Sequence, residues 1–197
     1  MNKPFSQSCE NNKRPILSVL RQSFAAATSV LEIGSGTGQH AVFLAESMPW
    51  LIWQPSDRAD NLPGIRAWCE DATLPNLREP LELDVATQSW PIMRADAVFS
   101  ANTAHIMHWP EVETFVAGVS ALLPKGGTFC LYGPFNYEGR YTSASNAQFD
   151  TWLKQRDPLS GIRDFEAIDR LAQAAGLRLA ADHEMPANNR TLVWRKA

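Results

Sequence analysis

Three glycines alternate at Gly34, Gly36 and Gly38, directly after the short apolar run Val30-Leu31-Glu32-Ile33. A helical pattern follows at once through His40, Ala41, Val42, Phe43, Leu44, Ala45 and Met48. This order predicts a buried strand, a tight turn and a helix whose N-terminus faces a ligand. Glycine suits the turn because it tolerates positive φ and lets a ligand approach the backbone. A dinucleotide fingerprint starting at Gly34 would need a glycine at position 39, which is Gln39. A Walker loop fails too, because no Gly-Lys-Ser/Thr follows. Asp57 stands roughly 20 residues beyond the glycines, at the end of the next strand, where a carboxylate can accept both hydroxyls of a ribose. Its alternative is a turn or N-cap before a helix at 59–70. Ser100-Ala101-Asn102 ends a later strand, and His105 and His108 follow at a spacing that puts both on one face of a helical turn. Asn102 can bind a substrate through its amide or hold the turn. His105 is placed to take a proton near neutral pH, or else to cap a backbone group. Zinc would need more ligands than this neighbourhood offers, so no metal is expected.

The elements that must position these residues alternate. Residues 1–13 read as a flexible arm, and Pro15 suits the first turn of a helix carrying Ile16, Leu17, Leu20 and Phe24. Strands are expected at 29–33, 51–53, 81–85, 96–101 and 128–132. Helices are expected at 38–48, 59–70 and from Trp109 to Leu123, which Pro124-Lys125-Gly126-Gly127 stops. Ser145-Asn146-Ala147-Gln148 matches a capping box before Phe149, Trp152 and Leu153. A helix through Phe165, Ile168, Leu171, Ala172 and Ala175 precedes strands at 177–184 and 190–195, whose short loop makes them antiparallel. Strand–helix alternation predicts an α/β fold with a mostly parallel sheet and helices on both faces.

The 197 residues, 45% of them hydrophobic, suffice for one core, so a single domain over 1–197 is expected. The net charge of -3 comes without a basic block, which argues against nucleic acid as a partner. No apolar run spans a bilayer, and the polar N-terminus lacks a signal core. Cys9, Cys69 and Cys130 are odd in number and form no CxxC. Reduced thiols in a cytoplasmic protein are therefore expected.

Glu32 followed by Gly34, Gly36 and Gly38 resembles motif I of the class I S-adenosylmethionine-dependent methyltransferases, an acidic residue followed by GxGxG. The resemblance implies a Rossmann-like fold with a seven-stranded sheet and an antiparallel last strand. It implies that Gly34, Ser35, Gly36 and Gly38 wrap the methionine part of the cofactor, S-adenosyl-L-methionine, and that Glu32 helps orient its amino end. It further implies that Asp84 accepts from the adenine amino group. Val85 would offer its amide and apolar side chain to the ring, and Asn102 would border the cofactor where methyl and acceptor meet. Over nearly the whole chain the sequence is similar to a narrower group, the methyltransferase-like protein 26 family, formerly domain of unknown function 938. The matching segments include Asn12–Leu17, Leu31–Gly38, Trp53–Asp57, Leu83–Val85, Ala101–Ile106, Leu131–Phe135, Gly161–Phe165 and Met185–Asn189. The strings WQPSD, LYGPF, GIRDFE and MPANN are the most specific. Departures fall at Asn11, Arg14 and Thr103-Ala104, so the substrate is not carried over.

The expected function is therefore methyl transfer from S-adenosyl-L-methionine to a small molecule, in line and without a metal, leaving S-adenosyl-L-homocysteine. Asn102 and His105 are the candidate catalytic residues. Phe135, Tyr137 and Tyr141 are candidates to line the acceptor pocket and face the sulfonium, or else to pack a loop. Residues 133–163 would form a lid, closing with the 1–14 arm and the Pro186–Asn189 turn. The competing readings are a non-catalytic cofactor-binding partner or sensor, and a protein or RNA methyltransferase. An aminopropyl transferase lacks the acidic cluster a polyamine needs, and the N-P-P-Y/F string of amino-group methyltransferases is absent at 100–105. A monomer or homodimer is expected.

Overall fold

The structure is a computed structural model that describes residues 3–87, 90–91 and 94–197. The chain opens with helix α1 (Gln7–Ser23), whose N-cap Ser6 accepts the Cys9 amide through Oγ. Then come β1 (Ser29–Ile33), α2 (Gln39–Ser47), β2 (Ile52–Asp57), α3 (Leu62–Ala72), β3 (Leu81–Glu82) and β4 (Ala97–Ala101). They are followed by α4 (Trp109–Leu122), β5 (Thr128–Gly133), β6 (Phe135–Asn136), α5 (Ala144–Arg156), β7 (Arg163–Asp164) and α6 (Phe165–Ala174). A hairpin of β8 (Leu177–Met185) and β9 (Asn189–Lys196) ends the order.

Seven strands form one sheet in the order β3-β2-β1-β4-β5-β9-β8, and β6 pairs with β7 apart from it. The first five are parallel, and β9 runs antiparallel to both neighbours. Strand alternation divides the interior. Leu31, Ile33, Val98, Phe129, Leu131, Leu192 and Trp194 face one cluster with α4 and α6. Val30, Ala97, Phe99, Cys130, Tyr132 and Val193 face the other, with α1 and α2. Among the described residues no helix is long and apolar enough to cross a membrane.

Several boundaries differ from the sequence expectation. The 1–13 arm is helical from Gln7, and Pro15 lies inside α1, where it forgoes the bond to the Asn11 carbonyl. The second strand runs on to Asp57 through Pro55. Proline is tolerated because pairing on that side consists of a Trp53–Leu77 bridge and resumes at Ser56–Leu81, leaving a gap at Pro55. The third strand pairs only at Leu81–Glu82, because Asp84 turns the chain by accepting the Ala86 amide. Helix α5 is capped by Ser143 instead of Ser145, Ser143 Oγ accepting the Asn146 amide.

Trp194 is fully buried, stacks on Phe129 at 5.3 Å and donates Nε1 to Asp169 at 2.8 Å. Trp194→Ala should lower stability by about 3–5 kcal/mol, read as a fall in the urea midpoint. A loss below about 1 kcal/mol would mean the hairpin stands outside the cooperative core.

Candidate functional site

The strand order reverses between β1 and β4, and in open α/β sheets ligands bind at such a point beyond the strand C-termini. Here the loop after β1 is tied to the end of β2. The Gly34 and Ser35 amides both donate to the Ser56 carbonyl at 3.0 Å. Ser56 donates its amide to Ser35 Oγ at 3.2 Å and its hydroxyl to the Glu32 carbonyl at 2.7 Å. A Cβ on Gly34 would stand 2.5 Å from Thr103 Cγ2, and one on Gly38 3.0 Å from the Ile65 backbone. Gly36 differs: at φ +57 it faces open space, and its amide donates to Asp57 Oδ2 at 2.7 Å. That opening next to an ordered backbone is what a closely approaching ligand requires.

A cavity of about 1080 Å³ opens over these strand ends. Its lining includes Gly34, Ser35, Gly36, Asp57, Asp84, Val85, Asn102 and His105. Asp57 Oδ1 also accepts the Arg58 amide and Asn61 Nδ2, each at 2.8 Å. Three of the carboxylate's roughly four acceptor positions are thus taken, one remaining on Oδ2. The Asp57 carboxylate therefore staples the loop and also lines the cavity. Gly38 lies outside the lining, packed against α3.

Glu32 also lies outside the lining, beneath the loop. Its carboxylate accepts Trp53 Nε1 at 2.9 Å. Burial raises its pKa to about 7 despite hydrogen bonds from Trp53 and Ser35, and the charge of Asp57 pushes the same way.

On the far side, Asn102 leaves β4 at φ +60 with its amide donating to the Tyr132 carbonyl at 2.8 Å. A non-glycine residue held there is characteristic of functional turns. His105 Nδ1 and Asn102 Oδ1 stand 3.8 and 3.9 Å from where a Gly133 Cβ would be, so the two candidate catalytic side chains meet over one bare Cα. Burial lowers the His105 pKa to about 4, with Arg163 contributing, so its imidazole is neutral near pH 7. His108 does not join it. Its Nε2 bonds Asp157 Oδ2 at 2.6 Å, and Glu111 accepts its amide at 2.6 Å. Among the described residues no group of three or more His, Cys, Asp or Glu is arranged to hold a metal.

The expected aromatic lining is corrected. Phe135 is buried in the core beside α4 and α6. Tyr137 stacks on Phe165 and donates to Asp182 at 2.7 Å, and Tyr141 donates to Asp150 at 2.6 Å. None of the three lines the cavity. Its aromatic residues are instead Tyr132, Phe149 and Trp152. Phe149 and Trp152 were legible as apolar positions of a helix, but their direction depends on how α5 docks.

Two segments expected to close over the pocket do stand at the cavity, the first of them as a helix. Helix α1 brings Ser6, Cys9, Asn11 and Asn12 to the cavity. It is pinned to α2 by Ser6 N to Gln39 Oε1 at 2.6 Å, Gln39 Nε2 to Glu10 at 2.9 Å, and His40 Nε2 to Asn12 Oδ1 at 2.7 Å. The polarity that suggested a loose arm serves this contact. Residues 159–163 clamp the His105 loop. Gly161 N donates to the His105 carbonyl at 2.9 Å. The Arg163 guanidinium donates to the carbonyls of Ala104, Met107 and Leu159.

The profile of a family described as "Protein of unknown function (DUF938)" matches residues 3–196. The chain belongs to the DUF938 family. In fold it is similar to an O-methyltransferase family protein from Burkholderia thailandensis, with TM-score 0.83, 17% identity and coverage of 94% of this chain and 56% of that one. It is likewise similar to an O-methyltransferase family 2 protein from Planctomyces limnophilus, solved in complex with apigenin (TM-score 0.85, 17% identity, 96% and 58%). Human N-acetylserotonin methyltransferase in complex with S-adenosylmethionine gives TM-score 0.81 at 16% identity, covering 97% and 53%. The chain spans little more than half the length of these proteins. At this identity the likeness shows that the DUF938 chain has the Rossmann-like methyltransferase fold.

The buried groups of this DUF938 protein predict two pH effects. Folding raises the Glu32 pKa from 4.5 to about 7. The stability held by its protonated form is complete below about pH 4.5 and lost as pH rises through 7. His40 and His105 fall from 6.5 to about 4, chiefly by burial. Their contribution is complete above 6.5 and lost as pH falls towards 4. Glu32→Gln keeps an acceptor for Trp53 and should gain on the order of 3 kcal/mol on wild type between pH 4.5 and 7.5. Urea denaturation at both pH values measures it, and a constant difference between the two proteins would contradict it. Arg163→Ala, which removes a charge and opens the clamp, should bring the His105 titration up towards 6.5 in an NMR pH series. An unmoved His105 resonance would show that Arg163 does not hold its surroundings.

Proposed function

We propose that this DUF938 protein is an S-adenosylmethionine-dependent methyltransferase acting on a small-molecule acceptor. The observation that carries the reading is the convergence, on one cavity at the switch point, of an open glycine loop, a carboxylate at the end of β2 and a second carboxylate after β3. The residues fit the group. Asp57 has one acceptor position left for a ribose hydroxyl, Asp84 is a carboxylate for an adenine amino group, and Leu83 and Val85 are apolar cover for a ring. The backbone of Gly34–Gly36 would lie along the methionine part. Glu32, set beneath the loop, acts on that end by holding the loop in place.

When bound, S-adenosylmethionine would supply an activated methyl group for an acceptor O–H or N–H, whose proton would pass to water. The chain's part is mainly placement, which can supply much of such a rate. Asn102, fixed by its backbone, would orient the acceptor by hydrogen bonding. His105, neutral at physiological pH, would accept the hydrogen bond of the acceptor's O–H or N–H. Its low pKa makes it a weak base, so it suits an acceptor acidic enough to release its proton readily. Helix α1 and α5, together with the 186–189 turn, would shield the site from water.

Calorimetry on the purified chain should show S-adenosylhomocysteine binding, with NAD and ATP much weaker. Asp57→Ala should weaken it at least about tenfold, through a lost ribose bond to a charged acceptor and a loosened Gly36 amide. Unchanged affinity in the folded variant would reduce Asp57 to a turn residue, and preference for NAD would overturn the assignment.

A further inference from the structure

We infer that the acceptor is a planar aromatic molecule bearing a carboxylate, its ring laid against Phe149 and Trp152 of α5 and its carboxylate held by Arg156. This deepens the methyltransferase reading and rests on it. Ser145, Phe149, Trp152 and Arg156 recur at helical spacing and all line the cavity, so one face of α5 forms its wall. Three of them, with His105, make a continuous column. His105 meets Phe149 edge-on at 5.2 Å, Phe149 stacks with Trp152 at 5.7 Å and 18°, and the Arg156 guanidinium sits 4.7 Å from the Trp152 ring. The column starts at the buried imidazole beside Asn102 and Gly133 and ends at an exposed guanidinium.

The surface along it is apolar where apolar surface is usually covered. Trp152 is 47% exposed and Ile106 56%, and both line the cavity with Met107 and Leu153. A flat ring covers such a surface and meets the ring edges of the column in edge-to-face contact, whereas a sugar or short polar acceptor leaves it wet. Arg156 supplies the charge preference. Stacked on Trp152, a guanidinium keeps its edge donors for a bidentate carboxylate. Nearby acids are otherwise engaged. Asp157 bonds His108 and the Leu159 amide, Glu111 takes the His108 amide, and Asp150 takes Tyr141, Lys154 and the Ile162 amide. Among the described residues no carboxylate pairs with Arg156.

The test is calorimetry on the full chain, with and without saturating S-adenosylhomocysteine. The probes are 4-hydroxybenzoate, 4-hydroxycinnamate and 6-hydroxy-2-naphthoate, their methyl esters, and cyclohexanecarboxylate. The aromatic acids should bind, the esters about tenfold more weakly, and the saturated acid weakest of all. Arg156→Gln should bring each acid down to the affinity of its ester and leave the ester unchanged. Trp152→Ala should weaken acid and ester alike by about tenfold, with Trp152→Phe restoring most of it. Both positions are exposed on α5, and S-adenosylhomocysteine titration of each variant checks that the site is intact. Equal binding of the saturated acid, an unchanged acid-to-ester ratio in Arg156→Gln, or no binding of any aromatic acid at millimolar concentration overturns the inference. If S-adenosylhomocysteine binds in that last case, the cofactor reading stands. If it does not bind while the aromatic acids do, the cofactor reading falls and the aromatic site remains.

Discussion

The carbonyl oxygen of Ser56 accepts two successive amides from the loop after β1, and much of the site follows from that junction. With Gly34 and Ser35 committed to β2, the chain must turn back on itself through positive φ at Gly34, Gly36 and Gly38. The Gly36 amide then points at Asp57, the residue directly after Ser56. Loop and carboxylate are thus placed by the same few atoms, and neither moves without the other. The arrangement has a cost. Glu32, the residue whose carbonyl receives Ser56 Oγ, is 1% exposed, and its carboxyl rests on Trp53 and Ser35 in surroundings that favour its neutral form. An acidic side chain tolerated there at such a penalty acts as a fixed acceptor for an indole N–H and a serine hydroxyl.

The half of the site built this way was legible in the sequence because it is local. The acidic residue, the glycine spacing and a carboxylate at the next strand end are all set within one βαβ unit, where strand direction and crossover leave little freedom. The strands and their directions were equally accessible, since each is either an apolar run or one arm of a short hairpin. What escaped was set over long distances. Residues 1–13 look unstructured by composition, yet Glu10 and Asn12 are polar because they face Gln39 and His40 across a helix–helix contact. Phe135, Tyr137 and Tyr141 looked like pocket aromatics, and their sequence neighbours Gly133 and Pro134 do lie at the site. The β6–β7 pairing turns them elsewhere, so that Phe135 enters the core and the two phenols are taken by Asp182 and Asp150.

The string Gly161-Ile162-Arg163-Asp164, specific in sequence but mute about its purpose, acquires one in the structure. Gly161 and Arg163 supply donors to the carbonyls of His105, Ala104 and Met107, while the Ile162 amide goes to Asp150. Asp150 sits on α5 outside the cavity lining that Phe149 and Trp152 join. One short segment therefore fixes the His105 loop and α5 relative to each other, and with them two sides of the cavity. Asp150 can be almost wholly buried as a carboxylate because Lys154, Tyr141 and a backbone amide satisfy it, which holds its pKa below the usual range.

That rigidity bears on the proposed chemistry. A histidine kept near a pKa of 4 by burial beside a guanidinium accepts a proton at neutral pH with little driving force, and among the described residues its neighbour over Gly133 is an amide, Asn102. A site of this kind gains little from proton transfer and much from holding the acceptor in line. The features that would be superfluous in a base-driven site become the working parts: the strained Asn102, the Arg163 clamp on three carbonyls, and a wall carried on a helix instead of a loop. A transfer limited by placement tolerates a neutral, weakly basic imidazole, because the remaining barrier lies in geometry, and geometry is what these contacts fix.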